Sequence, residues 1–180
     1  IEAFLSKKSN STADIFALGA MKSIVKWLPI AYRDGTNLSA RNAMGIAATW
    51  AGIAFDQSSL GLVHALAGPL CGNYHLHHGL GVAVLLPATL DFNASAIPVD
   101  RWESLRNALD LPKDAQPQDL GNWSREFLKS LDMPSHLSEL GLTTDRIPAI
   151  AESATKMAMI GLNIRSAGLE ECKQVLASGL

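Results

Sequence analysis

Four of the chain's five histidines, His64, His75, His77 and His78, fall within residues 61–79, together with Cys71 and four of its fourteen glycines. Neutral imidazole is the commonest protein ligand for metals and suits zinc and iron alike. His64 follows an apolar run that reads as helical, and His78 opens the next helix-like run after a break expected at Gly72-Asn73. A tight turn there can bring both rings to one point, which suits a divalent metal. Against this stands the ordinary role of a helical histidine as a hydrogen-bonded core or surface residue. The fourteen-residue gap between His64 and His78 also matches neither zinc-finger spacings nor the His-Glu-x-x-His helix. Spacing therefore leaves two rivals open. One is a closed structural cage in which Cys71 and His75, four apart, join His77; the other is a metal-free helical interaction domain.

The segments that must position these residues all read as helices. After Ser11-Thr12-Ala13-Asp14, the residues Ile15, Leu18, Met21, Ile24, Val25 and Leu28 recur at spacings of three and four, which predicts a helix from near Thr12 with a hydroxyl cap. Pro29 is expected to kink it or close its last turn. Asp34-Gly35 is a turn pair, and Asn37 is placed to cap a helix over 38–55. Ala40, Ala43, Gly45, Ala47, Ala48, Ala51, Gly52 and Ala54 make that helix a candidate for the buried centre. Phe55 ends it nine residues before His64 and reads first as core. Further helices are expected over 59–71, carrying His64 with Pro69 in the last turn, and over 78–92, with a kink at Pro87. Beyond a short helix at 101–109 and a proline-rich linker at 111–117, helices follow at 120–131, 135–140, 144–160 and 169–178, with Gly141 and Gly179 at C-cap positions. There is no sustained alternating run and no dinucleotide fingerprint, so the fold class expected is all-α, one helical bundle over 1–180.

Composition narrows the partners. Fifteen basic residues against seventeen acidic ones give a net charge of −2 with no basic block, so nucleic acid is not an expected partner. Cys71 and Cys172 form neither a disulfide framework nor a Cys-x-x-Cys knuckle, which suggests reduced, intracellular thiols. Uninterrupted apolar runs such as 79–86 are far shorter than the ~20 residues of a spanning helix. The first residues also lack the pattern of a signal peptide. No membrane association and a cytoplasmic location are the expectations.

Three separated blocks carry a resemblance: Ala51-Gly52-Ile53-Ala54-Phe55, then Leu60-Gly61-Leu62-Val63-His64-Ala65, then His78-Gly79 with Leu85-Leu86-Pro87. In this order they resemble the C-terminal domain of an iron-containing (group III) alcohol dehydrogenase, the helical half of a dehydroquinate synthase-like architecture. The similarity continues through Asp34-Gly35-Thr36-Asn37, Met133-Pro134, Glu139-Leu140-Gly141 and Asn163-Ile164-Arg165. It implies that His64 and His78 are two of four metal ligands. The other two, an aspartate and a histidine, precede an Ile-Glu-Ala segment in the family, and Ile1-Glu2-Ala3 opens this chain. The nucleotide-binding half is then expected to be absent from it.

What the resemblance further implies is an NAD(P)-dependent oxidoreductase interconverting alcohols with aldehydes or ketones by metal-assisted hydride transfer. It implies a divalent metal, iron or zinc, and NAD or NADP bound mainly by the other domain. The partners implied are a small alcohol or carbonyl substrate and a second copy of the chain. Phe55 falls where the family shapes its substrate cavity, and no residue here is assigned as a catalytic acid or base. The sequence departs from the pattern twice. Gly68 stands where a further histidine is usual, four residues after His64, leaving His75 or His77 to reach the cavity instead. Ile164 stands where proline is usual.

Overall fold

A computed structural model describes all of residues 1–180. It contains nine α-helices joined by turns and short 3-10 segments, and no strand, so the fold is all-α as expected. The chain divides into two compact units, Ile1–Ser59 with Ile97–Ala115, and Leu60–Ala96 with Gln116–Leu180.

The first unit is built on two long helices, α2 (Ser11–Arg33) and α3 (Leu38–Ser58), with the short α1 (Glu2–Leu5) and α6 (Val99–Ala108) against them. The cap of α2 is Asn10 rather than a hydroxyl residue: its side chain accepts from the Thr12 and Ala13 amides at 3.1 Å each, satisfying two orphan donors of the first turn. Pro29 does not end this helix, which runs on to Arg33. Asn37 caps α3 as read, accepting from the Ala40 amide at 3.0 Å. However, α3 is not a buried centre. Its buried residues are a single stripe, Ala40, Ala47, Ala54 and Ser58, and Leu38, Ile46, Trp50 and Phe55 are exposed. Small residues let α2 and α3 approach closely along one line and leave their other faces outside. Arg101 on α6 locks the unit: its guanidinium donates to Asp14 Oδ1 and Oδ2 at 2.7 and 3.0 Å, to Ser9 Oγ and to the Phe4 carbonyl, and lies over the Phe4 ring.

The second unit holds the larger apolar core. Leu62, Val63, Leu66 and Leu70 of α4 (Leu62–Tyr74) meet Val84, Leu85 and Ala88 of α5 (His78–Asn93), Ile150, Ala151 and Ala154 of α8 (Ile147–Thr155), and Cys172, Val175 and Leu176 of α9 (Leu169–Ser178). The remaining helix, α7 (Leu120–Lys129), packs on α5. Gly121 leaves room for the Asp91 carboxylate, which a Cβ there would push aside and which is paired with Arg125 at 2.5 Å. The expected helix over 144–160 is instead a 3-10 turn, α8, and a second 3-10 segment, Ala158–Leu162. Likewise 135–140 holds only the 3-10 segment Leu137–Leu140, closed by Gly141 at φ 82°.

By length and composition alone, two helical runs could cross a membrane, Ser11–Arg33 and His78–Ala96. Both contain polar residues that interrupt their apolar runs, so neither stands out as an unbroken apolar stretch. More than half of the His78–Ala96 window is buried inside the unit, 56%, as in a core helix; for Ser11–Arg33 the share is 17%.

Candidate metal centre

The histidines meet because the chain reverses between α4 and α5. The break is not at Gly72-Asn73, which remain helical, but at His75, which adopts the left-handed conformation at φ 53°. Its amide and that of Leu76 both return to the Cys71 carbonyl, closing the helix end. His77 then starts α5, its carbonyl accepting from the Leu80 and Gly81 amides at 3.0 and 3.2 Å. Cys71 and Gly81 set how closely the two helices approach. A Cβ on Gly81 would clash with the Cys71 sulfur, so any larger residue there would have to displace that side chain.

The His64 and His78 rings lie edge to face, with centroids 5.4 Å apart and planes at 60°. A ligating imidazole nitrogen stands about 2.0–2.1 Å from its ion, which puts the ring centre about 3.2 Å away. Two rings at a tetrahedral angle then have centres about 5.2 Å apart. The observed separation fits two imidazoles sharing one cation. His78 is exposed and His64 half-buried, so the pair faces outward. Nowhere in the chain do three or more His, Cys, Asp or Glu side chains gather into a metal-binding group. His64 and His78 stand here as a pair of candidate ligands.

The proposed cage of Cys71, His75 and His77 is not formed. Cys71 is buried, and burial pushes its thiol above the usual range, only partly offset by the Gly81 amide. His75 and His77 are exposed: one caps a helix end through its backbone, and the other opens the next helix. Phe55 is in the first unit and is 46% exposed rather than core, because it falls one residue beyond the Ala40–Ala47–Ala54 stripe.

Asn163-Ile164-Arg165 has a structural role that its sequence does not signal. Asn163 is buried, and its Oδ1 accepts from the Leu62 amide at 3.2 Å and from Asn93 Nδ2 at 3.1 Å. Its own Nδ2 donates to Asn93 Oδ1 and to the Arg165 carbonyl, both at 2.7 Å. Arg165 in turn donates to the Phe92 carbonyl at 2.7 Å and lies over the Phe92 ring, 4.0 Å from its centroid. The clamp joins the first turn of α4, two residues before His64, to the last turn of α5, the helix that His78 opens. It thus ties together the helices that carry His64 and His78.

Comparison with known proteins identifies the family. The family described as "Fe-containing alcohol dehydrogenase family, C-terminal" matches residues 1–180. The chain belongs to the iron-containing alcohol dehydrogenase family. Relatives include the NAD-dependent methanol dehydrogenase of Bacillus methanolicus, 30% identical over 185 residues, covering 100% of this chain and 48% of that protein. The 1,3-propanediol dehydrogenase of Citrobacter freundii is 33% identical over 179 residues, covering 97% and 46%. A crystal structure of 1,3-propanediol oxidoreductase superimposes with a TM-score of 0.92 at 30% identity, over 99% of this chain and 48% of that one. The chain spans about half the length of the curated relatives it matches.

Proposed function

We propose that these residues form the metal-binding C-terminal domain of an NAD(P)-dependent oxidoreductase that interconverts small alcohols with aldehydes or ketones. The observation that carries this is the His64–His78 pair, with a ring separation of 5.4 Å that fits a shared cation, in a chain of this family. The chemistry supplied by a bound divalent cation, iron or zinc, is Lewis acidity: it polarises a carbonyl and favours the alkoxide as hydride passes to or from a nicotinamide. The two imidazoles act as neutral ligands rather than as bases. They leave the cation's charge undiminished, and the Asn93–Asn163 clamp holds their helices in register. Phe55 is carried forward as a substrate-contacting residue, and NAD or NADP is held mainly by residues outside this chain.

Metal analysis of the full-length protein and of its His64→Ala and His78→Ala variants tests the reading. Each substitution is expected to remove both the metal and the turnover while helix content is preserved, and retained metal-dependent turnover in either variant refutes it. The isolated 180-residue chain, with two ligands, should not retain iron or zinc through dialysis. Stoichiometric retention by a monomer would show the site to be complete within this sequence.

A further inference from the structure

Gly68 lies four residues after His64, one helical turn on and on the same face of α4. It is exposed, as is His78. A Cβ placed at Gly68 would meet a single side-chain atom, the Met157 Cε methyl at 3.4 Å, so the end of that side chain borders the helix turn that follows His64. Met157 is half-buried, and its backbone is pinned on both sides: its amide donates to the Ala154 carbonyl at 3.0 Å, and its carbonyl accepts from the Ile160 amide at 3.1 Å. The side chain beyond is unbranched and able to follow the shape of a neighbour. One helical turn from His64 there is thus a wall made of a bare helix turn and a methyl group. Neither offers a strong hydrogen-bond donor or acceptor.

We propose that Gly68 and Met157 form the surface against which the substrate's carbon chain lies, so that the protein selects alcohols and aldehydes with a saturated hydrocarbon tail over those carrying a second hydroxyl. This rests on the reading that His64 and His78 hold the metal at which the reacting oxygen sits. A hydroxyl placed against this wall loses its water and gains no partner, whereas a methylene loses nothing by the exchange. Discrimination of this kind is worth on the order of ten- to a hundredfold in kcat/KM. The absence of a side chain at position 68 also leaves room that a longer tail can fill.

The test uses the metal-loaded full-length protein with 13C-methyl-labelled methionine, the Met157 signal being assigned by its loss in Met157→Leu. 1-Butanol is expected to shift that signal saturably, and 1,4-butanediol at equal concentration to leave it in place. The kcat/KM ratio of the two substrates should favour butanol about tenfold or more. In Met157→Gln, which places an amide where the methyl was, the ratio should fall at least about fivefold, chiefly through KM. Gly68→Ser, which adds a hydroxyl on the same strip, should move the ratio the same way and serves if the glutamine variant does not fold. A silent Met157 signal during normal turnover, or an unchanged ratio in the folded variants, overturns the proposal while leaving the metal reading intact. A protein without metal-dependent turnover overturns both.

Discussion

Removing the Asn163 side chain is the most revealing perturbation of this fold. Asn163→Ala deletes four hydrogen bonds, those with the Leu62 amide, both polar atoms of the Asn93 side chain and the Arg165 carbonyl. A net contribution of about 0.5–1.5 kcal/mol each sums to roughly 2–6 kcal/mol. The larger effect is on what is left behind: the Leu62 amide heads a helix with no side-chain cap, and Asn93 is only 3% exposed, so both lose partners in a dry place. A loss of about 4 kcal/mol is expected. With a urea m-value of about 2 kcal/mol/M, the unfolding midpoint of the 180-residue chain, followed by far-UV circular dichroism, should drop by about 2 M. If the two asparagines act as one unit, Asn93→Ala, which deletes two of these bonds, should cost about 2 kcal/mol and the double variant no more than Asn163→Ala, a coupling of about 2 kcal/mol in the double-mutant cycle. In the full-length protein, metal affinity should fall about 10- to 100-fold, as for residues that orient ligands without touching the metal. A stability loss under about 1 kcal/mol, or additive single and double variants, would refute the clamp.

The remaining expectations concern single positions. His75→Gly relieves a left-handed residue at φ 53° and should leave stability unchanged or raise it by about 0.5 kcal/mol, with metal retention by the full-length protein unaltered; lost metal would restore His75 as a ligand. Gly121→Ala should cost up to about 1 kcal/mol in a urea melt by turning the exposed Asp91 carboxylate off Arg125, and a loss above about 3 kcal/mol would mean that Asp91 cannot move aside. Burial, with a smaller push from Glu171, raises the Cys172 thiol from 9.0 to about 11. Because the raised value disfavours the thiolate only in the folded state, this contribution to stability is intact below pH 9 and is lost as pH rises from there through about 11. Iodoacetamide should therefore leave Cys172 unmodified in the native protein at pH 8, and labelling there at the rate of an exposed thiol would contradict it.

The sequence determined the chemistry at the level of residue type. Helical periodicity, Asn37 ahead of an alanine-rich segment and Gly141 after a polar turn are local signals, because capping and left-handed turns depend on residues within a few positions of one another. The blocks around His64 and His78 were equally legible, and they carried the family. The burial of α3 was misread, because small residues mark where a neighbour can approach and not how many neighbours there are; α3 buries one alanine stripe and exposes Trp50 and Phe55. Tertiary structure decided the rest. It brought Asn163 to the Leu62 amide across 101 positions in the chain and placed the Met157 methyl over Gly68. It also turned Cys71 inward onto Gly81, away from the exposed His75 and His77. Contacts of this kind depend on which helix faces meet, and helical periodicity identifies an apolar face without naming its partner.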